Sequence, residues 1–170
     1  ESFLDNQENG YNQFYSADTI ISTSTGAVVQ KRFYAAFNTD NGQFEGRIDR
    51  LANEFRSGVA FVLSRYGFSD VGWRSLIPAI RTYQDQFGQN VTNLVPFDGG
   101  AFQMFWPLLW SDEQDQNSMK AALINYLYTA ADFSNRNQLP GFVSASAIPE
   151  GGYQGKIGIP GASETAEPVL

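Results

Sequence analysis

The sequence lacks two residue types on which many hydrolytic and metal-dependent active sites rely. Its 170 residues include no histidine and no cysteine. This absence excludes thiolate nucleophiles, serine–histidine relays, zinc sites built from His or Cys, and disulfides within these residues. Proton transfer would fall to Asp, Glu, Tyr or Lys, and the 18 acidic residues make carboxylates the leading candidates. Among hydrolases this favours glycosidase chemistry, and we expect neither a metal nor another cofactor.

Positive charge is also scarce. The 11 basic residues against 18 acidic ones give a net charge of −7, and such a surface repels phosphate backbones and anionic membranes. We therefore expect no nucleic-acid partner. No apolar run approaches the roughly 20 residues that span a bilayer, so we expect no membrane insertion.

Helical spacing of apolar residues dominates the middle of the chain. Four stretches predict helices, namely residues 46–66, 70–87, 101–110 and 116–135. Gly67 and Gly88 are expected to end the first two helices. Pro78 is expected either to bend the second helix or to begin its main segment, and Pro107 is expected to bend the third. The fold class is therefore predicted to be mainly α, with antiparallel helical hairpins.

The two ends of the chain differ from this helical part. Residues 1–45 are rich in turn residues and contain two β-like runs, 19–22 and 27–30, which predict a small hairpin. Residues 139–170 lose the helical period and are dominated by Gly, Pro, Ser and Ala, as in functional loops or loose tails. The predicted organisation is a loop and hairpin region at 1–45, helical hairpins at 46–138 and a Gly/Pro-rich loop at 139–170.

The most informative segment is the aromatic run at residues 97–110, Phe-Asp-Gly-Gly-Ala-Phe-Gln-Met-Phe-Trp-Pro-Leu-Leu-Trp. Two interpretations stay open. The run can be a buried core helix, or it can be a ligand wall on which sugar rings stack while nearby carboxylates and amides bind their hydroxyls. Under the second interpretation the stacking candidates are Phe102, Trp106 and Trp110.

Three segments together resemble one family. They are Asn53-Glu-Phe-Arg56, Asp98-Gly-Gly-Ala-Phe-Gln-Met-Phe-Trp-Pro-Leu-Leu-Trp110, and Leu139-Pro-Gly-Phe-Val-Ser-Ala-Ser146 followed by Gly158-Ile-Pro-Gly-Ala-Ser-Glu164. Over roughly residues 45 to 165 the chain resembles the bacterial putative glucoamylase-like family, which includes β-1,2-glucan hydrolases. The resemblance implies an α/α toroid in which helical hairpins surround a sugar-binding cleft, and a secreted or periplasmic location.

Four helices cannot close such a ring, so we expect the chain to be part of a larger polypeptide or assembly. One position departs from the family pattern. Related segments often carry Glu where this chain has Gln103, and an amide cannot act as an acid or a base. The chain could therefore bind sugar without cleaving it.

Three acids are the predicted catalytic residues: Glu54, Asp98 and Glu164. For Glu54 the alternative is a surface pair with Arg50 at i,i+4 spacing. For Asp98 the alternative is the N-cap of the aromatic helix, a role that can coexist with ligand binding. The flanking glycines allow the Asp98 carboxylate to approach a ligand closely.

Further polar residues are predicted to bind substrate because they lie on loops or beside the motifs. In addition to the three stacking candidates, these residues are Asp40, Asn41, Arg56, Gln103, Tyr153 and Lys156. For Arg56 the alternative is an ion pair with Asp49 or with another solvated acid.

The predicted function is a carbohydrate-active protein, with an oligo- or polysaccharide as partner, that hydrolyses a β-glucan through paired carboxylates. Two alternatives stay open. One is a non-catalytic glycan-binding module, and the other is a structural module of a larger assembly.

Overall fold

A computed structural model describes residues 10–15, 19–23, 26–30, 32–98, 100–147 and 151–165, with the backbone alone at 19–23 and 26–30. The described helices are α1 (including residues 10–14), α2 (Arg56–Tyr66), α3 (Val71–Arg74), α4 (Ala101–Phe105) and α5 (Asn117–Arg136). Two 3₁₀ helices cover Trp106–Leu109 and Glu113–Asp115. None of the described helices is long and apolar enough to cross a bilayer.

The described strands pair two by two into antiparallel hairpins. They are β1 (Thr19–Thr23) with β2 (Gly26–Gln30), β3 (Ala36–Asn38) with β4 (Gln43–Glu45), β5 (Ile80–Gln84) with β6 (Asn90–Leu94), and β7 (Ser146–Ala147) with β8 (Tyr153–Gln154). The hairpin predicted near residues 19–30 is present. The described chain is a mixed α/β structure, however, and the predicted mainly α fold of toroid hairpins is wrong.

The second predicted helix shows why the fold class was wrong. Of residues 70–87 only Val71–Arg74 is α-helical, and Ile80–Gln84 forms strand β5 instead. The strands pair in a register that places Tyr83 opposite Val91. The Asp85 carboxylate closes the turn by accepting hydrogen bonds from the amides of Phe87 (2.9 Å) and Gln89 (2.8 Å). Long-range packing and this turn therefore outweigh the helical spacing.

The chain divides into two compact units. Unit 1 comprises Glu1–Asp49 and Phe55–Ile77, and unit 2 comprises Arg50–Glu54 and Pro78–Leu170. In unit 1 the ring of Tyr15 stacks on Phe33 and Phe68 with centroids 4.5 and 5.3 Å apart. The hydroxyl of Tyr15 donates to the Ser69 carbonyl oxygen at 2.9 Å.

Helix α2 of unit 1 is shorter than the helix predicted at residues 46–66. It begins at Arg56 and ends before Gly67, whose φ of 66° confirms the predicted stop. The earlier apolar positions are buried, but in different cores. Ile48 belongs to unit 1, where its amide donates to the Phe33 carbonyl oxygen (2.9 Å), whereas Ala52 packs into the core of unit 2. The regular spacing thus reflects burial without a continuous helix.

Unit 2 has one apolar core, between the β5–β6 hairpin, α4, α5 and the segment after α5. Its buried members are Ala52, Tyr83, Leu94, Met104, Leu123, Tyr126, Ala130, Val143, Ile159 and Ala162. Helix α5 matches the predicted fourth helix within one residue at each end. The segment predicted as a loop at 139–170 carries the short β7–β8 pair and contributes three core residues.

Candidate functional site

The aromatic run of unit 2 exposes three rings on one line of the surface. Phe102, Trp106 and Trp110, here called the aromatic strip, are 45%, 40% and 69% exposed. The ring centroids are 5.1 Å apart for Phe102 and Trp106 and 6.1 Å apart for Trp106 and Trp110. These exposures show that the run is not a fully buried core helix.

The opposite face of the same run holds the strip in place. Met104 and Pro107 are fully buried, so these two side chains hold the run against the rest of the protein. The chain continues from α4 into a 3₁₀ helix at residues 106–109, and each ring of the strip lies beside the next. The helix predicted at 101–110 is present as α4 followed by a 3₁₀ helix, which begins at Trp106, one residue before Pro107.

A loop after α5 caps the start of α4. The amide of Phe102 donates to Ser144 Oγ at 3.1 Å, and the amide of Ala101 donates to the Val143 carbonyl oxygen at 3.4 Å. At Gly100 a Cβ would lie 2.8 Å from that carbonyl oxygen and 2.7 Å from the Tyr126 hydroxyl. Only glycine fits here, and capping by Ser144 leaves Asp98 available for another role.

Asp98 lies at the N-terminal end of the aromatic strip. Its Oδ1 accepts a hydrogen bond from Gln103 Nε2 at 3.3 Å. A Cβ placed on Gly155 would lie 3.3 Å from Asp98 Oδ2 and 3.8 Å from Cε1 of Tyr153, so both side chains flank this glycine. Tyr153 is 70% exposed. The structure thus brings Asp98, Gln103 and Tyr153 together, as a polar edge beside the strip.

Glu164 has a different environment. Its carboxylate forms ion pairs with Arg50 and with Arg81, the latter at 3.6 Å, and its amide donates to the Pro96 carbonyl oxygen at 3.0 Å. The Arg50 guanidinium carbon also lies 5.7 Å from the centroid of the Phe97 ring. These contacts tie the segments around residues 50, 81 and 164 together within unit 2.

Glu54 also belongs to unit 2. Its Oε2 is buried and has no hydrogen-bond partner in the described part of the chain. Lys156 is exposed on the segment that carries Tyr153.

The remaining predicted residues belong to unit 1. Asp40 and Asn41 are exposed in the β3–β4 turn, where Asn41 Oδ1 accepts the Gln43 amide at 2.9 Å. Arg56 is fully buried in that unit. The candidate site is therefore built from unit 2 alone.

Sequence reasoning missed a polar group between β5 and α5. The Tyr83 hydroxyl donates to Asp132 Oδ2 at 2.6 Å, and Arg136 Nη1 donates to the Tyr83 oxygen at 3.3 Å. Burial and the bond to Asp132 raise the pKa of Tyr83 to about 12. The i,i+4 spacing of Asp132 and Arg136 was a local signal for half of this group. Tyr83 could be placed beside Asp132 and Arg136 only if residues 80–84 were predicted as a strand.

No protein-family model matches the chain, and none of the curated proteins matches it. The resemblance to the glucoamylase-like family therefore stays a prediction, and the case for function rests on the site itself.

Proposed function

We propose that unit 2 binds an oligo- or polysaccharide along the aromatic strip. The observation that carries this proposal is the line of exposed rings next to the polar edge formed by Asp98, Gln103 and Tyr153. Indole and phenyl faces accept the apolar C–H face of a sugar ring, whereas carboxylate and amide groups bind the hydroxyls at its rim.

The composition of the surface supports a sugar over a purely apolar partner. An apolar protein partner would pack on the rings and on Leu109, which is 66% exposed. Such a partner would not need a carboxylate at the end of the strip. A glycan uses both the rings and the polar edge. The two kinds of partner therefore differ in their dependence on Asp98.

Hydrolysis by the same surface stays a prediction. It needs a second carboxyl group roughly 5 to 10 Å from the first, one acting as acid and the other as base or nucleophile. Glu54 is the remaining predicted partner for Asp98, since the oxygens of Glu164 contact Arg50 and Arg81. The buried Glu54 oxygen without a described partner is the observation that keeps this alternative open.

The proposal is tested by calorimetric titration of the chain with a panel of linear β-linked gluco-oligosaccharides, including β-1,2-linked ones. We expect binding that weakens roughly thirtyfold in Trp106→Ala, because removal of a central aromatic contact costs about 2 kcal/mol. Phe87→Ala is the matched control, because Phe87 is an exposed ring of unit 2 outside the strip.

Equal affinity of the wild type and Trp106→Ala for every bound glycan would refute the proposal. The same incubations, assayed for new reducing ends, decide the enzymatic question. Release of reducing ends that Glu54→Gln and Asp98→Asn both abolish would establish hydrolysis. Binding without release would identify a glycan-binding module.

A further inference from the structure

Unit 2 contains an open cleft that none of the predicted site residues lines. It has a volume of about 480 Å³, within the range of small-molecule sites. Its walls are formed by strand β5, by the C-terminal end of α5 and by the segment Pro160–Gly161. The cleft is separate from the aromatic strip, since the two share no residue.

Arg136 supplies the positive charge of this cleft. Its Nη1 donates to the Tyr83 hydroxyl oxygen (3.3 Å) and to the Gln84 carbonyl oxygen (3.2 Å). Nε and Nη2 make no hydrogen bond within the described part of the chain, and the side chain is 46% exposed. One nitrogen therefore fixes the guanidinium group, while two further nitrogens can bind a ligand.

The neighbouring acid, Asp132, shares the charge of Arg136 but contacts it at Nη1. Asp132 lies 3.6 Å from Arg136 Nη1, but its side chain is only 3% exposed. Its oxygens accept hydrogen bonds from the Tyr83 hydroxyl (2.6 Å) and the Gln86 amide (3.4 Å). Asp132 therefore orients Tyr83 and offsets part of the Arg136 charge, and its contact with Arg136 is to Nη1, which leaves the Nε and Nη2 donors for a ligand.

The walls of the cleft are built before any ligand arrives. Gly161 has a φ of 83°, and a Cβ at this position would lie 2.8 Å from the Thr82 carbonyl oxygen. The Pro160–Gly161 segment therefore lies directly on the backbone of β5. Phe133, which packs against the core of unit 2, adds an apolar surface beside Arg136. A rigid cleft loses little entropy on binding.

We infer that this cleft binds a small organic carboxylate, such as a sugar acid, through Nε and Nη2 of Arg136. A guanidinium edge with two N–H donors matches the two oxygens of a planar carboxylate. The body of the ligand lies against Phe133. This inference is independent of glycan binding at the aromatic strip, and either can fail without the other.

The test is an NMR titration of the full chain with D-glucuronate, with D-glucose as the neutral probe of the same shape and inorganic phosphate as a non-planar oxyanion. We expect glucuronate to shift the resonances of the Gly161 amide and the Arg136 Nε–H group, and glucose to leave them unchanged. Equal shifts with glucose would overturn the inference. Phosphate binding as tight as that of glucuronate would overturn the assignment to a carboxylate.

Two substitutions test the role of the paired Nε and Nη2 donors of Arg136. Arg136→Gln should weaken glucuronate binding about tenfold or more, and Arg136→Lys should also weaken it, because a lysine keeps the charge without the paired donors. Arg81→Gln is the control, since Arg81 has a similar exposure (48%) and does not line the cleft. Unchanged affinity in both Arg136 variants would refute the inference. The Lys variant decides the matter if the Gln variant fails to fold.

Discussion

Replacement of Asp98 by asparagine separates ligand binding from helix capping at the start of α4. The amides of Ala101 and Phe102 bond to the Val143 carbonyl oxygen and to Ser144 Oγ, while Asp98 accepts from Gln103 at 3.3 Å. An asparagine Oδ1 can accept the same bond. We therefore expect Asp98→Asn to change the free energy of unfolding by less than about 0.5 kcal/mol.

Ser144→Ala is the matched structural variant. It removes the acceptor of the Phe102 amide without touching the polar edge. Loss of an N-terminal helix cap costs about 1 kcal/mol, so Ser144→Ala should be clearly less stable than Asp98→Asn. Urea unfolding of the two variants measures this difference.

Ligand binding should respond in the opposite order. A charge-assisted hydrogen bond from a sugar hydroxyl is roughly twice as strong as a neutral one, so Asp98→Asn should lose about 1 to 2 kcal/mol of binding free energy. That corresponds to roughly a 5- to 30-fold lower affinity for the oligosaccharide. If Asp98→Asn is instead as unstable as Ser144→Ala and its folded fraction binds normally, Asp98 is structural and the ligand site lies elsewhere.

Further predictions concern the core of unit 2. Gly161→Ala should cost about 2 to 4 kcal/mol of stability, because a left-handed φ of 83° and a Cβ 2.8 Å from a β5 carbonyl oxygen act together. Gly88→Ala should cost only about 1 kcal/mol of stability, because Gly88 has a φ of 76° but open space around its Cβ position. Equal losses of stability in the two variants, measured by urea unfolding, would contradict this account. Tyr126→Phe should be neutral or stabilising by up to about 1 kcal/mol, because the buried hydroxyl has no described partner. Tyr83→Phe should destabilise at neutral pH by about 1 to 3 kcal/mol through loss of the bond to Asp132, and the reverse order of the two tyrosine variants would refute this reasoning. Because the pKa of Tyr83 rises from 10.0 to about 12 on folding, its contribution is complete below about pH 10 and is lost towards pH 12. Urea unfolding across that range should show a shallower decline in Tyr83→Phe than in the wild type.

Local signals predicted two helical segments of unit 2, α5 and the aromatic run. Helix α5 could be located because Leu123, Tyr126 and Ala130 recur at helical spacing and are buried on one face. The aromatic run could likewise be predicted as a helix. Which of its faces would be exposed could not be predicted, because rings occur on both faces and the packing partner was unknown.

The helical spacing of apolar residues does not predict the β5–β6 hairpin. Ile80, Tyr83 and Phe87 are spaced as on a helix, yet Ile80 pairs with Leu94 and Phe87 lies in the turn. Asp85 and Gly88 are the residues that indicate a turn here. The Asp85 carboxylate accepts the Phe87 amide, and Gly88 has a φ of 76°. The predicted fold class is wrong mainly because the helical spacing of residues 70–87 predicts a helix where β5 forms.

The candidate site was predictable only in its local part. Asp98 and Gln103 are five residues apart, and their contact follows from the turn into α4. The approach of Tyr153 depends on how the segment after α5 returns to this turn, which no local pattern specifies. The ion pair of Glu164 with Arg50 joins residues 114 positions apart and was missed for the same reason.

The measurement that tests glycan binding most directly is an NMR titration that follows the indole N–H groups. The chain has three tryptophans, Trp73 in unit 1 and Trp106 and Trp110 in the aromatic strip. On addition of a bound β-gluco-oligosaccharide, the indole signals of Trp106 and Trp110 should shift with one common dissociation constant, while the Trp73 signal stays in place. Saturable binding that leaves both strip signals unmoved would contradict the account.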